Sequence, residues 1–358
     1  MLDEDTVRRW RWASQRLAPR DDSGDPAALV RGLAAVQSQD PGAAGLALRV
    51  RGSGFTAADV ERARVDARAP VRTRAHRDTL HLLATEDAGW MVRLLAPPLL
   101  AARRRSRGGA LGLDDNTAEA GLRALREALA DGPQTQATLA ERLAARGLDL
   151  GGSRLTHLVS TAALEGWICD GPDVGRQRTS VLLADWVDVG EGPGGDAATS
   201  ELARRHLAGH GPAEPRDLAA WSGMPVRDAR AAYARLGAAI TEVATAFGPR
   251  WVLAGTHAIG PARGSTVRLL AAFDTYLLGY RDRSEAVPAP HTRAVNAGGL
   301  RVLPAVAVDG VVVGTWQLKR RRATAAVEVA PFATLDRALL GDEVDDLGRF
   351  LGTPTSLA

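Results

Sequence analysis

The stretch Gln134–Asp170, QTQATLAERLAARGLDLGGSRLTHLVSTAALEGWICD, sets apolar residues at helical spacing in two runs split by a glycine-rich turn. That pattern predicts helix, turn and helix. Trp167-Ile168-Cys169 and Thr179-Ser180-Val181-Leu182-Leu183 follow as short β-rich runs around Gly171-Pro172-Asp173-Val174-Gly175, the layout of strand, loop and strand. Together they read as a winged helix.

Working outward, the pattern recurs. Asp217–Gly223, DLAAWSG, reads as a first helix and turn and Val226–Leu236 as a second helix, with a wing expected at Ile240–Val243 and Arg250–Ala254. A more diverged copy is expected at the N-terminus: helices from Asp25 and Thr56, then strands around Val71–Arg74 and Thr79–Leu83. Beyond these, Val267–Leu270, Arg301–Val308 and Val311–Trp316 are strand-like runs, and Asp309-Gly310 is a hairpin signal. The expected fold is α+β: three tandem winged helix-turn-helix motifs (1–112, 113–190 and 196–262) and a C-terminal β-rich domain (265–358). Gly190–Asp196 reads as a flexible linker.

At 358 residues the chain is long enough for two or three domains, and its apolar runs are too short to span a bilayer. Its start, MLDEDTVRRWRW, does not read as a signal peptide, which points to the cytoplasm. The lone Cys169 supplies neither an intramolecular disulfide nor a zinc site. His206 and His210 share a helical spacing, but Gly209 and Gly211 favour a structural or solvated role for them. The net charge is only +3, with the basic residues densest at Arg103–Arg107 and Lys319–Arg322.

In Ala35–Gly42, AVQSQDPG, two glutamines stand two positions apart. Asp25-Pro26 is a good helix start, and Leu29, Leu33 and Val36 continue one apolar stripe, so the helix is expected to reach about Val36. Pro41 disfavours helix at Asp40 and reads as a stop, so the chain is expected to become extended near Gln39. Residues two apart then point the same way. Solvated amides at a helix end would account for the pair on spacing alone. The alternative is a chemistry that wants groups able to donate and accept without titrating, such as cleavage of a bond whose leaving group is already cationic.

Five stretches resemble the AlkZ-type winged-helix DNA glycosylases: Leu33–Arg51, LAAVQSQDPGAAGLALRVR; Val71–Asp87, VRTRAHRDTLHLLATED; Asp217–Gly223; Leu269–Arg283, LLAAFDTYLLGYRDR; and Val308–Trp316, VDGVVVGTW. The resemblance implies that the family's catalytic Q-x-Q motif falls on Gln37 and Gln39. Two departures stand out: Ser38 where an aliphatic residue is usual, and Arg77-Asp78-Thr79 where Arg-Gly-Thr is common. The Q-x-Q form fits antibiotic self-resistance relatives better than general repair relatives, which carry Q-x-D.

The implied activity is hydrolysis of the N-glycosidic bond of cationic N7-alkylguanine and related alkylpurines, including bulky adducts and interstrand crosslinks. No lysine lies in the matched motifs, so the enzyme is expected to be monofunctional and to use neither metal nor cofactor. Its expected partner is double-stranded DNA containing alkylated purines, bound by a monomer. Lys319, Arg320, Arg321 and Arg322 are candidates for the phosphates or minor groove. Asp274, Tyr280 and Arg281 are candidates to line the site, although a turn cap and a core ring would explain Asp274 and Tyr280 equally. The rival readings are a winged-helix transcription regulator, which would carry a basic exposed second helix, and a drug-sequestering resistance protein.

Overall fold

The structure, a computed structural model, describes residues 1–258, 264–298 and 301–358, with no side-chain description for 107–110. The end of the segment 196–262, residues 299–300 of the β-rich segment and the Arg107 side chain therefore lie outside the described residues. The fold mixes helix and sheet in two compact units, one from Met1–Arg62 with Thr199–Ala358 and one from Ala63–Ala198. The first boundary falls inside the segment 1–112. It falls within the helix Ala57–Val65, so the helix after Asp25 and the hairpin Val71–Leu83 belong to different units. Among the described residues no helix is long and apolar enough to cross a membrane.

In the unit Ala63–Ala198 the hairpin Val71–Arg74/Leu80–Leu83 joins the strands that end the opening stretch. Arg72 pairs with Asp170 of strand Ile168–Asp170, which pairs with Thr179–Leu182, itself flanked by Gln134–Thr135. Helices Gln136–Ala144 and Ser153–Leu164 are the expected two, and Asp115–Leu129 packs with them. Their stripes (Leu125 and Leu129; Leu139 and Leu143; Leu155 and Leu158) meet Ile168 in one core. Asp114 accepts from the Thr117 amide at 2.7 Å and Thr135 from the Thr138 amide at 3.2 Å, so helices Asp115–Leu129 and Gln136–Ala144 begin where a short polar side chain satisfies a free N–H.

In the other unit, helix Pro215–Ser222 stops at Gly223 in the left-handed region, followed by helix Val226–Leu236 and the hairpin Ile240–Thr245/Gly248–Leu253. Helix Gly195–His210 takes the last two residues of the expected linker. The C-terminal sheet runs in the order Thr355–Leu357, Ala325–Pro331, Val311–Arg320, Ala305–Val308 and Val267–Leu270. Asp309 (φ 49°) and Gly310 (φ 86°) turn the chain between the paired Val308 and Val311, the two successive positive φ values of a tight hairpin.

Both faces of this sheet are buried, so its strands read as continuous apolar runs. Leu270, Ala305, Ala307 and Val312 pack with Trp12, Leu17, Val50 and Tyr276 on one side. Val267, Leu269, Val306 and Val327 pack with Val344 and Leu347 of helix Gly341–Leu351 on the other. The β-rich segment thus shares a core with the first helix, Glu4–Ser14, and with Val50. Neither the Glu4–Ser14 helix nor the C-terminal one was expected from the sequence.

Candidate active site

Helix Pro26–Leu33 starts as expected, with Asp25 accepting from the Ala27 amide at 2.8 Å. It ends at Leu33 rather than at Val36. Ala34 adopts φ 65°, turns the chain out of the helix, and leaves Val36–Gln37 as strand. The alternation of burial follows the extended backbone: Val36 and Ser38 are buried, Gln37 is half-buried and Gln39 is exposed. Gln37 ends the strand, Ser38 occupies the inward position where an aliphatic residue is usual, and Gln39 lies exposed in the bend just past it.

Pro41 is not a helix stop. It is the first residue of helix Pro41–Arg49, and Asp40 caps it by accepting from the Ala43 amide at 3.1 Å. Proline costs nothing at that position because its missing N–H would have had no helical partner. The glutamine pair thus sits in a short extended connection between two helices, just before a helix N-terminus.

The far end of this helix is fastened by two fully buried arginines. Arg51 makes a fork to Asp274 (2.8 and 2.6 Å), donates to the Ala47 carbonyl at 2.7 Å and donates to Gln15 Oε1 at 2.9 Å. Arg49 donates to Glu343 and Asp346, each at 3.0 Å. Burial pushes the Glu343 carboxyl up, but the guanidiniums of Arg49, Arg20 and Arg268 more than offset this and hold it below its ordinary value. Gln15, itself buried, donates to the Gly209 carbonyl at 3.0 Å. A Cβ on Gly209 would lie 2.9 Å from the Gly32 carbonyl oxygen and 3.3 Å from Leu33 Cα, so helix Gly195–His210 backs directly onto the turn that launches the glutamines.

Of the residues expected to line the site, two belong to the core. Asp274 is fully buried and caps the turn Thr275–Leu278 by accepting from the Tyr276 amide at 2.9 Å. Tyr280 is buried, and its hydroxyl donates to the His210 carbonyl at 2.9 Å. Arg281 alone is exposed, its backbone amide donating to Asp217 Oδ1 at 2.9 Å. The stretch Leu269–Arg283 accordingly ties the matched motifs together. Asp274 holds Arg51, Asp217 holds the Arg281 amide, and Tyr276 and the Leu270 carbonyl bond Gly310 and Trp316 at 2.9 and 2.8 Å. The buried Arg49 and Arg51 were missed as functional supports, although two arginines closing the apolar run in LALRVR were a signal.

Lys319 and Arg320 end strand Val311–Arg320, and Arg321 and Arg322 enter its turn; all four are exposed. Lys319 lies 3.7 Å from Glu328 on the paired strand. In the other unit, Arg77 and Asp78 both take positive φ (53° and 63°) at the tip of the Val71–Leu83 hairpin, a conformation natural to the family's glycine. Here Asp78 accepts from Arg103 at 2.6 Å and from Arg74 at 3.1 Å. The histidines beside these elements are silent near neutral pH: burial lowers His81 to about 4 and His206 to about 4, and drives His210 well below its usual value. His206 and His210 stack 4.6 Å apart in the core, a structural role. Among the described residues no group of three or more metal-ligating side chains gathers.

The family model for DNA glycosylase AlkZ-like proteins matches residues 30–350. The chain belongs to the AlkZ-like DNA glycosylase family. It is an enzyme that hydrolyses N-glycosyl bonds in DNA. An interstrand DNA cross-link repair glycosylase of Streptomyces sahachiroi is 30% identical over 353 residues, covering 92% of this chain and 91% of that one. The solved structure of the Streptomyces sahachiroi DNA glycosylase AlkZ shares the fold, with a TM-score of 0.81 at 24% identity and full coverage of both chains.

Proposed function

We propose that this enzyme releases cationic N7-alkylguanine and related alkylpurines, including bulky adducts and interstrand crosslinks, with Gln37 and Gln39 as the catalytic pair. The observation that supports the reading is the break from helix at Ala34, which leaves Gln37 half-buried in the short Val36–Gln37 strand and Gln39 exposed in the bend just after it, with Ser38 buried between them. One amide oxygen orients a water toward C1′, and the other amide supports the sugar as it gains oxocarbenium character. The C1′–N9 bond breaks, its electron pair neutralises the base, and the proton of the attacking water passes to solvent. A cationic base needs no protonation, which is why groups that do not titrate suffice. No step requires a lysine nucleophile, a metal or a cofactor.

The name of the 30%-identical relative supports the crosslink substrate. Lys319 to Arg322, exposed on one hairpin, suit phosphates or the minor groove. The order helix, helix, hairpin supports tandem winged helices in 1–112, 113–190 and 196–262, followed by the β-rich segment 265–358. We assign the enzyme to the cytoplasm as a monomer, in DNA repair or in self-resistance to a DNA alkylator.

The test is leaving-group dependence. Duplexes carrying N7-methylguanine, uracil or hypoxanthine are compared by release of free base between pH 6 and 8. The reading expects release of the cationic base alone, at a rate nearly flat with pH. Equal release of uracil, or a bell-shaped profile in that window, would assign the work to an acid instead.

A further inference from the structure

A cleft of about 1050 Å³ opens between helices Pro215–Ser222 and Val226–Leu236, the hairpin Ile240–Thr245/Gly248–Leu253 and the segment after Tyr280. Four guanidiniums line it, those of Arg216, Arg230, Arg250 and Arg281. Among the described residues Glu214 and Asp282 are its only acidic lining residues, and Asp282 already accepts from the Ser284 amide at 2.8 Å.

Arg216, Arg230 and Arg281 are exposed, and none has an acidic ion-pair partner among the described residues. Arg250 is 8% exposed and held from behind by Glu285 at 3.1 Å, yet its Nε has no hydrogen-bond partner. Tyr233, 4% exposed on the same wall, has a hydroxyl with no partner at all. Leaving a buried hydroxyl unsatisfied is costly, and a fixed donor among guanidiniums is complementary to an acceptor-rich anion. Burial and the nearby carboxylates Asp217 and Glu214 keep the phenol protonated, hence a donor.

We propose that this cleft is a backbone-phosphate site for duplex DNA, separate from the Lys319–Arg322 hairpin, with Arg216 and Arg230 reaching phosphates and Tyr233 and Arg250 completing the oxygen contacts. The site rests on membership in a DNA glycosylase family. Its rim is largely exposed, which suits a strand laid along it better than a small molecule that needs most of its surface covered. Phosphate contacts of this kind set position rather than sequence.

The experiment measures binding of an undamaged duplex against salt for the wild type, Arg216→Ala/Arg230→Ala and Tyr233→Phe. Inorganic phosphate and a mononucleotide serve as separate probes. Each lost phosphate contact flattens the slope of log K against log salt by about 0.9, so the double variant is expected to lose about 1.8, and Tyr233→Phe to weaken binding severalfold at an unchanged slope. Single Arg216→Gln and Arg230→Gln variants, each losing about 0.9, guard against a folding defect in the pair. An unchanged slope in all variants would overturn the site. So would a mononucleotide bound in the cleft with duplex binding unaffected. Base release by the wild type, measured in parallel, tests the glycosylase reading independently of the slope.

Discussion

Replacing Asp274 separates a core role from a catalytic one. In Asp274→Asn the shape and the cap to the Tyr276 amide are retained, but an NH2 group faces Arg51 Nη1 in place of Oδ2, and the fully buried guanidinium keeps only neutral acceptors: the remaining amide oxygen, the Ala47 carbonyl, Gln15 Oε1 and the Thr275 hydroxyl. An uncompensated buried charge costs about 3–5 kcal/mol, a large part of the roughly 5–15 kcal/mol that holds a domain folded. Arg51→Met should cost a similar amount for the stranded carboxylate. Combining the two removes both charges, so the pair should lose about 2–3 kcal/mol less than the sum of the single losses. Urea unfolding followed by circular dichroism reads the cycle, and base release per folded molecule is measured well below the midpoint. The account expects destabilised variants with near-normal release per folded molecule. An Asp274→Asn protein as stable as the wild type but unable to release base would refute it and make Asp274 a reacting group.

Acid should weaken the fold before carboxylates protonate. Burial lowers His81 and His206 to about 4, whereas an unfolded histidine titrates near 6.5, so the unfolded chain binds more protons between those values. Their contribution is complete above about pH 6.5 and falls as pH drops toward 4, by about 2 kcal/mol for each histidine at pH 5. A urea midpoint unchanged between pH 7 and 5 would contradict this. Gly209→Ala should cost about 1–3 kcal/mol, because its Cβ would press on the backbone of Gly32 and Leu33, and base release per folded molecule should fall as the turn at Ala34 shifts. Wild-type stability and release in this variant would show that the contact does not position the glutamines.

What could be read in advance was local. The two helices and strands of the opening stretch and the Asp309-Gly310 turn follow from periodicity and turn chemistry, which act over a few residues. The same sequence signal nevertheless points in opposite directions at two places: Asp25-Pro26 reads as a helix start and Asp40-Pro41 as a stop, although both aspartates cap a helix in the same manner. The difference lay in Ala34, whose positive φ ends the first helix early and carries no residue-level mark. The spacing of Gln37 and Gln39 draws notice, but only the family motif gives the pair a role, since side-chain amides near the surface have no periodic signature.

Asp274 and Tyr280 have the chemistry of site residues, but their depth is set by partners far along the chain: Arg51 for one and the His210 carbonyl for the other. Such pairings bring together positions 70 to more than 200 residues apart, and no local pattern encodes them. The cleft of Arg216, Arg230 and Arg281 was equally hidden, because three elements supply its arginines one at a time.

The central claim is that two neutral amides, Gln37 on a short strand and Gln39 just past it, carry the chemistry. Single-turnover release of N7-methylguanine from a duplex, by Gln37→Ala and Gln39→Ala in excess over DNA, tests it most directly. Both variants should keep wild-type urea midpoints and duplex affinity while losing release by about 10²-fold or more, the scale at which removal of one positioned electrostatic group is felt. Wild-type release by either variant would contradict the claim.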